Sequence, residues 1–562
     1  METVIISSTN YNGYLANITF YPITGGTVSL GYHQIPYLYS SNQVYGSYDL
    51  YFSSWTKTCS TTILPQPVFI TANTSFFTLQ VLGTASQINW GDGSPLEVVT
   101  NGTLTHTYSI GGNYVISFIP VNLTSLIISN NGITSISLLP ASLTTLDIHN
   151  NNLSSLNISN LLTLTTLNCN NNYLGSLDIQ FNLNLINIDV SYNTLLSFDF
   201  GTQQSLTVLT VSHNSLTDID FTNNLNLTYL YCNNNNISTL TFDDTGGSIY
   251  SLSILDISNN NLSTITLCFL DYLNYVYCQY NSLTTLGYLP YNLNTLNCSY
   301  NLLTTLPFDS CFGGFTYYLT NLNCSNNQLS SLDITGVSIY QLDATYNELD
   351  STNIDNILVN LQNGSYTNGT ALLNNQTPSA CPTGIGMLAE DYLINDLGWT
   401  ITVDPGCQIN LMTITFTGNP ISSVYLDFGG FYNGAINWGD GSPIQNFNSY
   451  VTHDYYTAPH TAKLGFSDNN SIIQIYSPNN GVTDITGLDL FPSMYIVNLS
   501  NNYLTVSKIN DILVTLSGNS LSNGECYLDN QIPPACPTGD GILAQNHLVD
   551  DLFWIVNVDT GC

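Results

Sequence analysis

Leucine and isoleucine return along the middle of this chain in one fixed frame, L-x-x-L-x-(L/I/C)-x-x-N-x-(L/I). The frame opens at Leu123, Leu143, Leu164, Leu185, Leu206, Leu227, Leu252, Leu273, Leu293, Leu319 and Ile339. Its steps are mostly 20 or 21 residues, with longer ones of 25 and 26. Eight residues after each opener stands an asparagine: Asn131, Asn151, Asn172, Asn193, Asn214, Asn235, Asn260, Asn281, Asn301, Asn327 and Asn347. A period of this size predicts a solenoid, because one turn cannot bury its apolar edge alone and neighbours must share a core. Each turn sends its leucines inward on a short strand and then bends. The asparagine falls at the bend, where its amide can serve backbone groups that lose their partners. It is expected to be scaffold, not a ligand contact. Cys169, Cys232, Cys278, Cys298 and Cys324 take the third apolar position, one per turn and without a C-x-x-C pair. That pattern fits a small core hydrophobe better than a zinc site.

Segments such as LTTLDIHNNNLSSLNI and LTNLNCSNNQLSSLDI resemble the leucine-rich repeat family. The resemblance implies a mainly β solenoid whose non-leucine strand positions face a concave side. Two, four, six and seven residues after the openers these positions hold Tyr192, His213, Tyr229, Tyr231, Asp256, Tyr275, Tyr277, Tyr280 and Tyr300. Aromatic faces beside Asp and Asn suit sugars, since rings stack on C–H faces while amides and carboxylates bond hydroxyls. A tyrosine-rich, weakly charged surface equally suits a protein partner. Tyrosine is also simply frequent here, at 38 residues, and shields a β surface.

The flanks are modular. Residues 1–66 alternate apolar and polar positions in short runs punctuated by Gly, Pro and Asn, which predicts a small β module with a possible attachment role. Residues 67–122 centre on INWGDGSP and a later H-x-Y, with Trp90, Asp92, Gly93, His106 and Tyr108. This resembles the polycystic-kidney-disease-type (PKD) β-sandwich. INWGDGSP recurs at 436–443 with Trp438, Asp440 and His453, although the following THDYYTAPH departs from the first copy. Asp92 and Asp440 suit either calcium or the capping of a tight glycine turn; no D-x-[DN]-x-[DN]-G loop accompanies them, so capping is expected. Residues 354–407 realign with 509–562 at a constant shift of 155, as helix, strand, helix, strand. They resemble the C-terminal end unit of leucine-rich chains in Bacteroidetes and their phages, and they would close the exposed end of a solenoid.

The expected order is therefore a β module (1–66), a PKD-like sandwich (67–122), a leucine-rich solenoid (123–353) and an α/β cap (354–407). A second PKD-like sandwich (408–470), a short leucine-rich stretch (471–508) and a second cap (509–562) follow. Matching cysteines 26 residues apart in both caps suggest disulfides Cys381–Cys407 and Cys536–Cys562, and Cys268 with Cys311 is a further candidate pair.

Charge narrows the partners. The chain carries 37 acidic residues against three bases, Lys57, Lys463 and Lys508, for a net charge of −34. Such a surface is repelled by nucleic acid and anionic membranes. No run of 18 apolar residues predicts a membrane span, and the first 22 residues do not read as a secretory signal. No H-E-x-x-H, G-x-S-x-G or Walker A pattern is present, so neither catalysis nor a cofactor is expected. The leading expectation is a non-enzymatic virion surface protein, fibre- or spike-like. It would dock to other virion proteins through residues 1–66 and bind a host glycan or protein receptor on the concave face. The alternatives are a bacterial surface adhesin and a decoration protein that self-assembles through its repeats.

Overall fold

In the computed structural model the described residues are 67–562, apart from 84, 86, 243–249, 309–317, 408–410, 418–422, 430–433, 456–458, 467–470 and 560–562. The expectations for residues 1–66, Cys311 and Cys562 fall outside this set. The protein is mainly β and its centre is a leucine-rich repeat solenoid. Three-residue strands, from Ser125–Ile127 through Tyr229–Tyr231 to Gln341–Asp343, pair in parallel, one per turn. Their register is constant, so the middle residues Leu126, Leu146, Leu167, Ile188, Leu209, Leu230, Leu255, Val276, Leu296, Leu322 and Leu342 form one file. All of them are buried, which leaves the residue on either side of each to face outward.

The asparagines stitch turn to turn. Asn235 is representative. Its Nδ2 donates to the carbonyls of Cys232 (3.0 Å), Asn233 (3.3 Å) and, one turn back, Val211 (3.1 Å). Its Oδ1 accepts from Leu216 N–H at 3.0 Å, also one turn back. The same bonds recur at Asn193, Asn260, Asn301 and Asn347. The ladder cysteines lie between these rungs, fully buried, and burial raises the Cys278 thiol to about 12. They behave as apolar filling. Among the described residues no group of three or more His, Cys, Asp or Glu could hold a metal ion.

Both ends of the ladder are closed by the same chemistry in reverse. At the start, Asn131 pairs with the backbone of Thr78 like a strand neighbour, accepting from its N–H and donating to its C=O, both at 2.7 Å. Thr78 lies on Val68–Leu82, which runs antiparallel to Gly102–Phe118 and continues the solenoid sheet. At the finish, Gln376 takes the asparagine's place. Its Oε1 accepts from Leu349 N–H (3.1 Å) and its Nε2 donates to Ala344 and Leu373 carbonyls. Asp404 then takes the last free donors, Gln376 N–H and Ala380 N–H, on its two oxygens.

The first cap holds helices α1 (Ser351–Asn363) and α2 (Gly384–Asn395), joined in sequence by the strand Thr370–Leu372. Asp350 caps α1 by accepting from Asn353 N–H at 2.8 Å. Glycine is required at 369, where a Cβ would lie 2.5 Å from the Trp399 ring; Gly524 meets Trp554 in the same way in the second copy. Cys381 and Cys407 form the expected disulfide. Cys268 and Cys536 are each disulfide-bonded as well, not to one another.

The second half repeats the plan in short form. A five-stranded antiparallel sheet packs beside a six-stranded sheet whose strands Gln474–Tyr476, Ile496–Asn498, Glu525–Tyr527 and Ile555–Asn557 are parallel. Asn480, Asn502, Gln531 and Asp559 replay the ladder and its ending. Helices α3 (Val506–Gly518) and α4 (Asp540–Asn546) form its cap. Helix α2 of the first cap packs on the antiparallel sheet of the second half, where Lys463 pairs with Asp391. A Cβ on Gly465 would lie 2.3 Å from the Gly384 carbonyl, so the two backbones are nearly in contact there.

The caps differ in one chemical respect. Asp355 on α1 accepts from Thr383 N–H (2.7 Å) and Oγ1 (2.6 Å). Burial outweighs these bonds and raises its carboxyl to about 6. Burial likewise raises Glu390 on α2 to about 7. At the shift of 155 the second cap has amides, Asn510 and Gln545; Asn510 accepts from Thr538 N–H and donates to Thr538 Oγ1, so the hydroxyl bond is kept with its direction reversed.

Two predictions follow from this architecture. Asn235→Ala removes four bonds at a buried bend and should cost about 3 kcal/mol or more in chemical denaturation. Asp355 and Glu390 bind protons more tightly folded than unfolded, so their contribution is full below about pH 4 and is lost as pH rises through about 6 to 7. The double variant Asp355→Asn, Glu390→Gln should therefore gain about 1–3 kcal/mol at pH 8 and little at pH 4. An unchanged pH profile in thermal melts would refute the assignment.

Candidate functional site

Strand pairing sets the columns of the outward sheet face. One residue before the buried middle position, the column runs Asn187, Val208, Tyr229, Ile254, Tyr275, Thr295. One residue after it, the column runs Asp189, Thr210, Tyr231, Asp256, Tyr277, Asn297. Five of the nine residues expected from sequence meet here. Tyr229 and Tyr275 flank Ile254, and Tyr231 and Tyr277 flank Asp256. Tyr229 and Tyr275 are each 38% exposed, while Tyr231 and Tyr277 are half-buried at the base of the patch. Burial, then Tyr229, Asp256 and Tyr277, raise the Tyr231 phenol above its ordinary range. Ile254 was not among the expected residues; only the column, written turn against turn, shows it as the floor between two rings.

Asp256 is held in place by its own turn. Its Oδ1 accepts from Ser258 N–H (3.0 Å) and Oγ (2.7 Å). Oδ2 makes no hydrogen bond among the described residues. Asp189 with Ser191, Asn297 with Ser299, Asn323 with Ser325 and Asp343 with Thr345 make the same local motif. The position six residues after the opener is thereby turned to scaffold: Ser191, Ser258, Ser299 and Ser325 are buried. The recurring [DN]-x-[ST] spacing was the signal for this in the sequence.

The other four expected residues form a ridge where the strands end. Tyr192, His213, Tyr280 and Tyr300 all have φ between 52° and 56°, the left-handed region, which Asn171, Asn234 and Asn259 also occupy at the same position of their turns. Tyr192 stacks on His213 with centroids 4.0 Å apart, and Tyr280 on Tyr300 at 4.3 Å. His213 Nε2 lies 3.2 Å from Asn234 Nδ2. Asparagine tolerates this conformation, whereas a bulky side chain adopts it at a cost of about 1–2 kcal/mol. One stacked pair returns about 0.5–1.5 kcal/mol, less than two such residues lose.

The GDG turns are closed structures. Asp92 accepts from Ser94 N–H on one oxygen (3.0 Å) and faces His106 Nε2 on the other (2.8 Å). His106 stacks on Trp90, and Tyr108 donates to the Trp90 carbonyl at 3.0 Å. Trp438, Asp440, Ser442, His453 and Tyr455 repeat every one of these contacts. Both carboxylates are lowered by these bonds, Asp440 to about 2, and both cap their turns as expected.

No protein-family model matches the chain, and no curated protein matches it. Solved structures similar to it are leucine-rich proteins. The leucine-rich effector YopM of Yersinia pestis shares 28% identity over 41% of this chain and 74% of its own, with a TM-score of 0.33. A leucine-rich repeat protein of Leptospira interrogans shares 16% over 76% and 82%, with a TM-score of 0.37. An internalin of Listeria monocytogenes shares 18% over 51% and 87%, with a TM-score of 0.34.

The ridge makes one prediction. The double variant Tyr280→Asn, Tyr300→Asn should raise stability by about 1 kcal/mol, since relief of two left-handed aromatics exceeds the lost stacking. A lower denaturation midpoint would mean that the stack is a net stabiliser.

Proposed function

We propose that the protein is a non-catalytic recognition protein that holds a macromolecular partner against the tyrosine patch of its parallel sheet. The observation that carries this reading is the patch itself. Four tyrosines lie in register on two strands that flank a single intervening strand, on a sheet whose other turns place no aromatic residue in those columns. Tyrosine gives a large, rigid contact area with a polar tip and loses little conformational freedom on binding.

The setting we propose is outside the cytoplasm, which the Cys381–Cys407 disulfide favours. Host attachment as a fibre-like component of a virion surface is the form of that role we favour. The scarcity of bases and the duplicated build are its support.

The combined variant Tyr229→Ala, Tyr231→Ala, Tyr275→Ala, Tyr277→Ala should abolish adhesion of the purified protein to host cells while its melting temperature stays within a few degrees. Retained adhesion moves the site off this sheet. Antibody-gold on purified particles should find the chain there. Label confined to cell envelopes replaces the virion reading with a cellular adhesin.

A further inference from the structure

The tyrosine patch has a shape and a charge that select its occupant. Neighbouring strands of a sheet lie about 4.8 Å apart, so Tyr229 and Tyr275, and likewise Tyr231 and Tyr277, stand as walls roughly 9.6 Å apart. Strand side chains rise roughly perpendicular to the sheet. A group midway between two walls is then about 4.8 Å from each ring, inside the ~6 Å range over which an aromatic ring attracts a cation. Beneath that midpoint lie Ile254 in one column and Asp256 in the other. The two columns are two residues apart along the strand, about 6.7 Å. The result is an apolar trough, walled by Tyr229 and Tyr275, that leads into an acid-floored one walled by Tyr231 and Tyr277.

Resting on the reading of this sheet as the binding face, we propose that the patch takes a basic side chain, lysine or arginine, presented by a protein partner. The alkyl stem lies over Ile254 and the charged head sits on Asp256. Long basic side chains have this two-part chemistry, a hydrocarbon stem and a charged tip.

Three observations select this occupant. Asp256 keeps one carboxylate oxygen without a hydrogen bond among the described residues, because the local turn uses only Oδ1. Among those residues no internal cation competes for it: Lys463 pairs with Asp391 and Lys508 with Asp484 at 2.9 Å, and the chain has no arginine. The net charge of −34 draws a basic partner in and disfavours an acidic one. The patch also has walls and a floor but no roof. A free small cation would remain hydrated and weakly held, whereas a protein surface that closes over the patch removes water and strengthens every charge interaction within it.

The chain supplies its own controls. Asp189 and Asp343 occupy the same column with the same serine or threonine motif but no flanking tyrosines. Asn297 and Asn323 make that motif with an amide, so Asp256→Asn leaves the turn intact.

The test is fluorine NMR of the full chain labelled with 3-fluorotyrosine, with Tyr231 and Tyr277 resonances assigned through their Phe variants. Nα-acetyl-lysine N-methylamide is titrated into the millimolar range, with the norleucine analogue as the uncharged comparator. The lysine compound should shift both resonances saturably and the norleucine compound should not. Asp256→Asn should weaken the response about fivefold, and Asp343→Asn, with the same change in net charge, less than about twofold. Equal losses in the two variants, equal response to norleucine, or no response to lysine overturns the proposal. If lysine is inert but the four-tyrosine variant still loses adhesion, the sheet is the binding face and its occupant is neutral, as a glycan would be. If that variant adheres normally, the binding face lies elsewhere and both readings fall.

Discussion

Everything in this fold depends on one side-chain amide per turn reaching back to the turn before. A short parallel strand offers only a few inter-strand bonds, and the bend after it strips backbone groups of partners. From the second turn on, the asparagine at each bend shares its two amide hydrogens among three carbonyls and accepts an N–H on its oxygen, and some of these bonds cross to the preceding turn. Register, burial of the leucine file and the constant columns of the sheet face all follow. Misplacing one rung would shift the columns that bring Tyr231, Asp256 and Tyr277 into line.

The ends obey the same accounting. A ladder of this type leaves two problems, donors and acceptors without a neighbouring rung at its first turn and again at its last. Asn131 and Asn480 resolve the first problem by pairing with a strand backbone, at Thr78 and Tyr425. Gln376 and Gln531, one methylene longer, make the last rung, and Asp404 and Asp559, which need no donor of their own, end the series. An acceptor-only group is the fitting terminator, because a further amide would itself demand a partner.

Much of this was legible in the sequence and some was not, for physical reasons. The leucine period and the asparagine gave the solenoid because both are repeated at fixed spacing. The caps were legible through self-similarity, down to Cys381 and Cys407. Gln376 and Asp404 escaped notice because each occurs once per half and breaks the pattern it completes. On the sheet face, single tyrosines could be named, but the pairing of Tyr231 with Tyr277 across Asp256 depends on strand register, which the uneven steps of 25 and 21 residues obscure. The ridge residues were grouped with the strand residues by offset alone; the left-handed turn that separates them is a backbone property with no signature in a tyrosine.

Because each rung bonds only to its nearest neighbour, the array has no intrinsic length. The second half shows it in its shortest form, with Asn480, Asn502 and Gln531 between a strand and a cap. The first half threads eleven asparagines between the same two fittings. Whole turns that keep the leucine and asparagine frame can thus be added or removed without disturbing the bonding at either terminus. A lineage carrying this chain holds a ruler whose gauge can change in steps of one strand spacing while the chemistry at its ends stays fixed.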